Sequence, residues 1–174
     1  MGVNTVQGAS ATIRTVPSVG DTQQEISQQE SLSDTSPLFC DLEDLRRCDA
    51  LLLGSPVRFG NMAAAMKYFW DGTSALWATG ELVDKPAGVF SSSSSMHGGN
   101  ETTLLSMMLP LLHHGMILLG VPYTQKQLAS TRSGGTPYGA THVELDRGNT
   151  LDQDEIAIAR GLGKRIAELA VTLG

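Results

Sequence analysis

Three short stretches carry the residue types that could do chemistry. "SPVRFGNM" (55–62) sets Arg58 and Phe59 directly after the apolar run "CDALLLG". "SSSSSMHGG" (91–99) offers hydroxyls, small side chains and free backbone N–H groups, and Gly98 and Gly99 lead into a helix start near Asn100. "YTQKQLASTRSGGTPYGATHVELDRGNT" (123–150) is long and rich in turn residues. A donor-rich loop of this kind suits a flat, polar-edged or anionic ligand. Each stretch also has a plainer reading: Arg58 as a surface cation, Phe59 as core packing, the serines as an ordinary loop. The histidines His97, His113, His114 and His142 show no metal-ligand spacing. His113 and His114 are adjacent and would point about 100° apart on a helix, so no metal site is expected.

These stretches must be held by elements, and the pattern supplies them. "DALLLGSP" (49–56), "KPAGVFSS" (85–92) and "GMILLGVP" (115–122) are short apolar runs ending in Gly, Ser or Pro. Continuous rather than alternating runs read as strands covered on both faces, hence a parallel sheet. "ASATIRTV" (9–16) alternates and reads as a further strand with a wetter face. Helices are expected at 41–48, at 61–79 with a break near Gly72, at 100–115 with Pro110 kinking or interrupting it, and at 151–173. In the last of these, Asp152 or Asp154 can cap, and Ile156, Ala159, Gly163, Ile166, Ala170 and Leu173 share a face. Residues 18–40 form a polar loop or disordered stretch, and 134–142 holds too many turn residues for an element. Strand alternating with helix gives an α/β, doubly wound domain over 1–174, in which ligands sit beyond the carboxyl ends of the strands. The three chemical stretches each follow a strand.

Composition excludes some classes. The net charge is −6 and the sequence pI about 5.1, which argues against non-specific binding to nucleic acid or an anionic membrane. No apolar stretch approaches a membrane span, and the start "MGVNTVQGASAT" lacks a leader's basic and apolar regions. Cys40 and Cys48 form neither a CxxC pair nor a disulfide framework, so a cytoplasmic location is the default.

"GSPVRFGNM", "FWDGTSALW", "GVFSSSSSMHGGNETT", "HHGM" and "GGTPYGATH", in that order, resemble the WrbA-type NAD(P)H:quinone oxidoreductases. These are flavodoxin-like enzymes that use FMN, and the resemblance runs from about residue 10 onward. It implies a three-layer flavodoxin-like sheet in the strand order 2-1-3-4-5. By the same resemblance Pro56, Val57, Arg58, Phe59 and Gly60 wrap the flavin ring. Ser92, Ser93, Ser94, Ser95, Met96, His97 and Gly98 form the second flavin loop, and His113 is the flavin-site histidine. Trp77 covers the quinone or nicotinamide pocket, although Trp70 and Trp77 are seven apart and could both be core. For His113 the plainer reading is a histidine near a helix C-terminus.

The family pattern begins with an apolar strand and a Ser/Tyr/Gly loop that cradles the FMN phosphate. Neither has a counterpart in this chain, so the first strand is expected to be missing from the sheet, between 9–16 and 49–56. The implied activity is two-electron transfer from NAD(P)H through FMN to a quinone, with no catalytic nucleophile, in a homotetramer whose subunits complete one another's pockets. The alternative is a non-catalytic flavodoxin-like protein that binds a partner and has an incomplete flavin site.

Overall fold

The computed structural model describes residues 2–21, 37–144 and 150–174. The polar loop expected over 18–40 therefore lies largely outside the described residues. The chain order is α1 (Leu42–Arg47), β1 (Leu51–Pro56), α2 (Ala64–Asp71), α3 (Ser74–Thr79), β2 (Pro86–Ser93), α4 (Asn100–His113), β3 (Ile117–Leu118), α5 (Gln127–Ser130), β4 (Ala140–Val143) and α6 (Gln153–Leu173), preceded by one 3-10 turn at Val3–Thr5.

All strand pairs are parallel, as the apolar runs require. β1 pairs with β2 from Leu51↔Ala87 to Pro56↔Ser92. β3 pairs with the start of β2 at Pro86↔Ile117 and Ala87↔Leu118. β4 pairs with its end, from Phe90↔Ala140 to Ser93↔Val143. β3 and β4 thus share one lane beside β2, and 119–139 is an excursion between the two halves. Two expectations are corrected here. The strand expected over 115–122 shrinks to Ile117–Leu118, because the chain leaves the lane after Leu119 donates to Ala87 O (2.8 Å). Within the turn-rich 134–142 stretch, β4 does form, because the free second half of β2 offers it a partner.

Helices cover both faces. On one, Leu45 of α1, Trp70 of α2, Leu76 of α3 and Leu104, Met107 and Leu111 of α4 pack on Leu53, Ala87 and Val89. On the other, Ile158, Leu162 and Ile166 of α6 pack on Leu119, Val121 and Ala140. Gly88 permits this second contact, since a Cβ there would lie 2.4 Å from Ile166 Cδ1. The buried face of α6 runs through Glu155, Ile158, Leu162, Gly163, Ile166 and Ala167, about one residue round from the face expected. The larger Ile158 and Leu162 win the core, leaving Ala159 exposed.

Other expectations meet different fates. The break near Gly72 separates α2 from α3. α4 runs on through Pro110 to His113 rather than being interrupted. Asp152 caps α6 in a full capping box with Glu155. The strand expected over 9–16 is absent: only Thr15 makes a bridge, to Phe39. Thr15 N–H donates to Leu38 O and its carbonyl accepts from Cys40 N–H, so its polar groups are met without a sheet. Among the described residues no strand pairs with the outer edge of β1.

Candidate functional site

The carboxyl ends of β1, β2 and β4 come together at one end of the sheet. Val57 N–H donates to Ser92 O (2.9 Å), tying the loop after β1 to the end of β2. Ser91 Oγ donates to Ser55 O (2.8 Å), and Ser55 Oγ accepts from Ala63 N–H (2.8 Å), so the 56–62 loop is anchored at both ends. At its tip, Arg58 and Asn61 exchange backbone bonds of 2.8 and 3.1 Å. Phe59 sits in that tip at φ 52, a left-handed conformation that a bulky residue adopts at a cost of about 1–3 kcal/mol. Its ring is fully exposed. Strain of this kind, spent on displaying an aromatic to solvent, marks a position shaped for a ligand or partner.

The loop after β2 closes the other side. Ser93 Oγ donates to Ser95 O (2.8 Å), and Gly98 N–H donates to the same carbonyl (3.2 Å). Gly99, at φ 97, lies so close to the first loop that a Cβ would sit 2.8 Å from Gly60 Cα. Between the loops lies a cavity of about 520 Å³, lined by Pro56, Val57, Arg58, Phe59, Ser92, Ser93, Ser94, Ser95, Gly98, His142 and Glu144. That volume lies in the range of small-molecule and cofactor pockets. Its lining pairs flat apolar surface with hydroxyls and a guanidinium, a donor set that fits the ring of FMN, while the phosphate-cradling loop of the family pattern has no counterpart here. Gly60 lines neither cavity and packs instead against Gly99, while Met96 and His97 turn into a smaller neighbouring cavity of about 140 Å³ with Asn100, Ser133 and Thr141.

His142 and Glu144 are wall residues that the sequence reading missed. His142 Nδ1 lies 2.8 Å from Glu155 Oε2, in a carboxylate that is 3% exposed. Glu155 Oε2 also accepts from Asp152 N–H, and Oε1 from Ser133 Oγ and the Gly134 and Val143 N–H groups, at 2.8–3.0 Å. Burial pushes this carboxyl's pKa up, but the bonds from His142, Val143, Asp152 and Gly134 outweigh it and hold it at about 2. The signal available in the sequence was Glu155 three residues after Asp152, which reads simply as a capping box.

Trp77 and His113 are not brought to this cavity within one chain. α4 starts at the cavity and, at about 1.5 Å per residue, carries His113 about 20 Å away. Trp77 lies near that far end, because Thr73, one turn before it, bonds His114: Thr73 Oγ1 and His114 Nε2 are 2.8 Å apart. Trp70 is the core tryptophan; Trp77 is 58% exposed, and His113 is exposed beside the buried His114. Among the described residues no cluster of three or more His, Cys, Asp or Glu could hold a metal, and no described helix is long and apolar enough to cross a membrane.

A protein family described as NADPH-dependent FMN reductase matches residues 35–128. A protein of Chromohalobacter salexigens named NAD(P)H dehydrogenase (quinone) is 47% identical over 142 residues, covering 80% of this chain and 71% of the relative. One of Solidesulfovibrio magneticus with the same name is 41% identical over 179 residues, covering 97% and 86%. A solved structure described as a flavodoxin, WrbA-like protein from Agrobacterium tumefaciens has a TM-score of 0.59 and 23% identity, covering 75% of this chain and 71% of that one. This last likeness shows the flavodoxin-like fold.

Proposed function

The chain belongs to the NADPH-dependent FMN reductase family, among relatives named NAD(P)H dehydrogenase (quinone), and from that premise we propose that it is an FMN-dependent oxidoreductase acting between NAD(P)H and quinones. The observation that carries the reading is the cavity over the carboxyl ends of the strands, walled by the Arg58–Phe59 tip and the Ser92–Ser95 loop. FMN, when bound, would supply two-electron chemistry between NAD(P)H and a quinone.

The chain's own part is to bind, orient and stabilise charge. Pro56, Val57 and Phe59 offer flat apolar surface to a ring. Arg58 donates through Nη1 to Val57 O (2.9 Å) and, among the described residues, has no carboxylate partner. Its charge is therefore free to meet the negative charge that reduction builds on the ring. Ser92, Ser94 and Ser95 offer hydroxyl donors and the loop its backbone N–H groups to the ring's polar edge, while Ser93 Oγ–H, bonded to Ser95 O, holds the loop in shape. No residue acts as a nucleophile; positioning two flat substrates in turn over one ring suffices.

Trp77 and His113 enter this site from neighbouring subunits in a homotetramer. Support comes from their exposure far from their own chain's cavity, and from the apolar surface beside them: Tyr68 on α2 and Leu105, Leu109 and Leu112 on α4 are all exposed. We place the enzyme in the cytoplasm, where the free thiols of Cys40 and Cys48 stay reduced.

The direct test is the absorption spectrum of the purified protein after FMN is added, followed by quinone-dependent oxidation of NAD(P)H. A bound-flavin spectrum and turnover are expected. A protein that takes up no FMN is instead a non-catalytic partner-binding relative. Sedimentation at micromolar concentration should give a tetramer. Trp77→Ala should lower quinone turnover more than FMN affinity; equal losses would remove Trp77 from the substrate site.

A further inference from the structure

His142 carries the inference, and the chemistry starts with its partner. Glu155 accepts five hydrogen bonds, one of them at His142 Nδ1. An ionised carboxylate can only accept, so the proton between the two groups sits on Nδ1. That fixes the ring's orientation and leaves Nε2 as the working nitrogen. Among the described residues Nε2 has no partner, and the side chain, 20% exposed, lines the large cavity opposite Arg58. The backbone fixes it as well: His142 pairs with Ser92 across β2 and β4, so it stands level with the start of the donor loop. An imidazole held at one nitrogen by a buried carboxylate, with the other open to a ligand cavity, is built to pass a proton.

We propose that His142 is a proton-carrying residue of this pocket: Glu155 holds Nδ1–H, Nε2 takes up a second proton from solvent at the cavity mouth, and the resulting Nε2–H meets a carbonyl oxygen of a bound ring as that oxygen gains negative charge. Glu155 is the positioning residue. The inference rests on the pocket taking flat redox rings, and it goes beyond that reading by naming the group that meets the new charge. The chemistry is a conjugated carbonyl reduced by two electrons, which both FMN and a quinone contain. At a quinone, carbon or oxygen receives the hydride drawn from NAD(P)H, and the carbonyl π bond opens. The Nε2–H bond breaks and its proton joins the negative oxygen. The imidazole is left neutral with Nδ1–H still on Glu155, and solvent at the cavity mouth restores the proton. At the flavin, the same Nε2–H donates a hydrogen bond to the charged carbonyl. Among the described residues, the other charged groups near the ring are Asp152, which caps α6 and bonds Glu155, Glu144 just after β4, and Arg58 across the cavity.

The test compares the full chain with His142→Phe, which keeps a ring but removes the nitrogens. One readout is the midpoint potential of bound FMN, which measures its relative affinity in reduced and oxidised forms. A second is the rate at which reduced, FMN-loaded protein is oxidised by 1,4-benzoquinone. If the flavin carbonyl is the partner, the affinity ratio should fall about tenfold or more, or about 30 mV per tenfold for a two-electron couple. If the quinone is the partner, the potential should hold while benzoquinone oxidation slows about tenfold or more and loses its solvent deuterium isotope effect. Unchanged potential together with unchanged oxidation overturns the proposal while leaving the flavoenzyme reading intact. A chain that binds no FMN overturns both. Should His142→Phe fail to fold, nitrogen NMR of the unaltered protein decides: the His142 Nε2 resonance should move on FMN reduction or benzoquinone addition, and a stationary resonance overturns the proposal.

Discussion

Two turn-rich segments frame the cavity, and they are held in opposite ways. The 56–62 loop is tied by backbone and hydroxyl bonds at its base and ends in a strained, fully exposed Phe59 with nothing packed on it. The 133–144 segment is pinned from beneath by one buried carboxylate, which gathers Ser133, Gly134, His142 and Val143 around the first turn of α6. The first wall leaves an aromatic open to solvent; the second is held in place by the protein. At the proposed flavin site the two would do different work: an exposed ring for stacking, and a fixed wall that holds polar groups at set distances.

The largest effect expected from breaking this contrast is at the fixed wall. Glu155→Ala leaves several buried donors without a partner and should cost about 3 kcal/mol or more of unfolding free energy, read by urea titration. A near-neutral result would mean that the segment holds itself. Acid should do the same gradually. The carboxyl has its folded pKa lowered from 4.5 to about 2. Its contribution is therefore complete above about pH 4.5 and is lost as the pH falls from there towards 2. The amide proton shifts of Gly134 and Val143 should track that loss, and flat shifts over the window would exclude Glu155 as their anchor. Next comes the seam between the walls. Gly99→Ala places a Cβ at φ 97 against Gly60 Cα and should cost about 2 kcal/mol, with weaker FMN binding, measured by thermal unfolding and flavin fluorescence. The smallest effect is at the exposed tip. Phe59→Gly relieves the left-handed strain and should raise stability by about 0.5–1 kcal/mol while lowering FMN affinity. Loss of both together would make Phe59 a packing residue after all.

The sequence made one wall far easier to see than the other. Apolar runs announce β1 and β2, and Gly72 marks the break between α2 and α3, because burial and backbone freedom are local signals. β4 has no such signal: Ala140–Val143 is a strand only because β2 has an unoccupied second half 50 residues earlier in the chain. His142 stands at no metal-ligand spacing to the other histidines, and nothing local marks its partner Glu155, which lies on another element. The 9–16 stretch shows the reverse error. Its alternation is real, but a strand needs a neighbour, and Thr15 finds only Phe39. Met96 and His97 follow the same rule at finer scale, since the backbone turn after Ser95 sends them to the adjoining cavity.

The shared lane of β3 and β4 has a consequence for synthesis. As the chain leaves the ribosome, β1, β2 and β3 can associate with α4 as soon as each appears, for all their partners precede them or lie close by. The second half of the lane cannot be secured in that order. Its anchor is Glu155, which emerges only after the whole excursion has passed. A nascent chain halted before α6 therefore presents the 56–62 loop and the serine loop without the His142–Glu144 wall, and at the proposed flavin site such a chain should take up cofactor poorly.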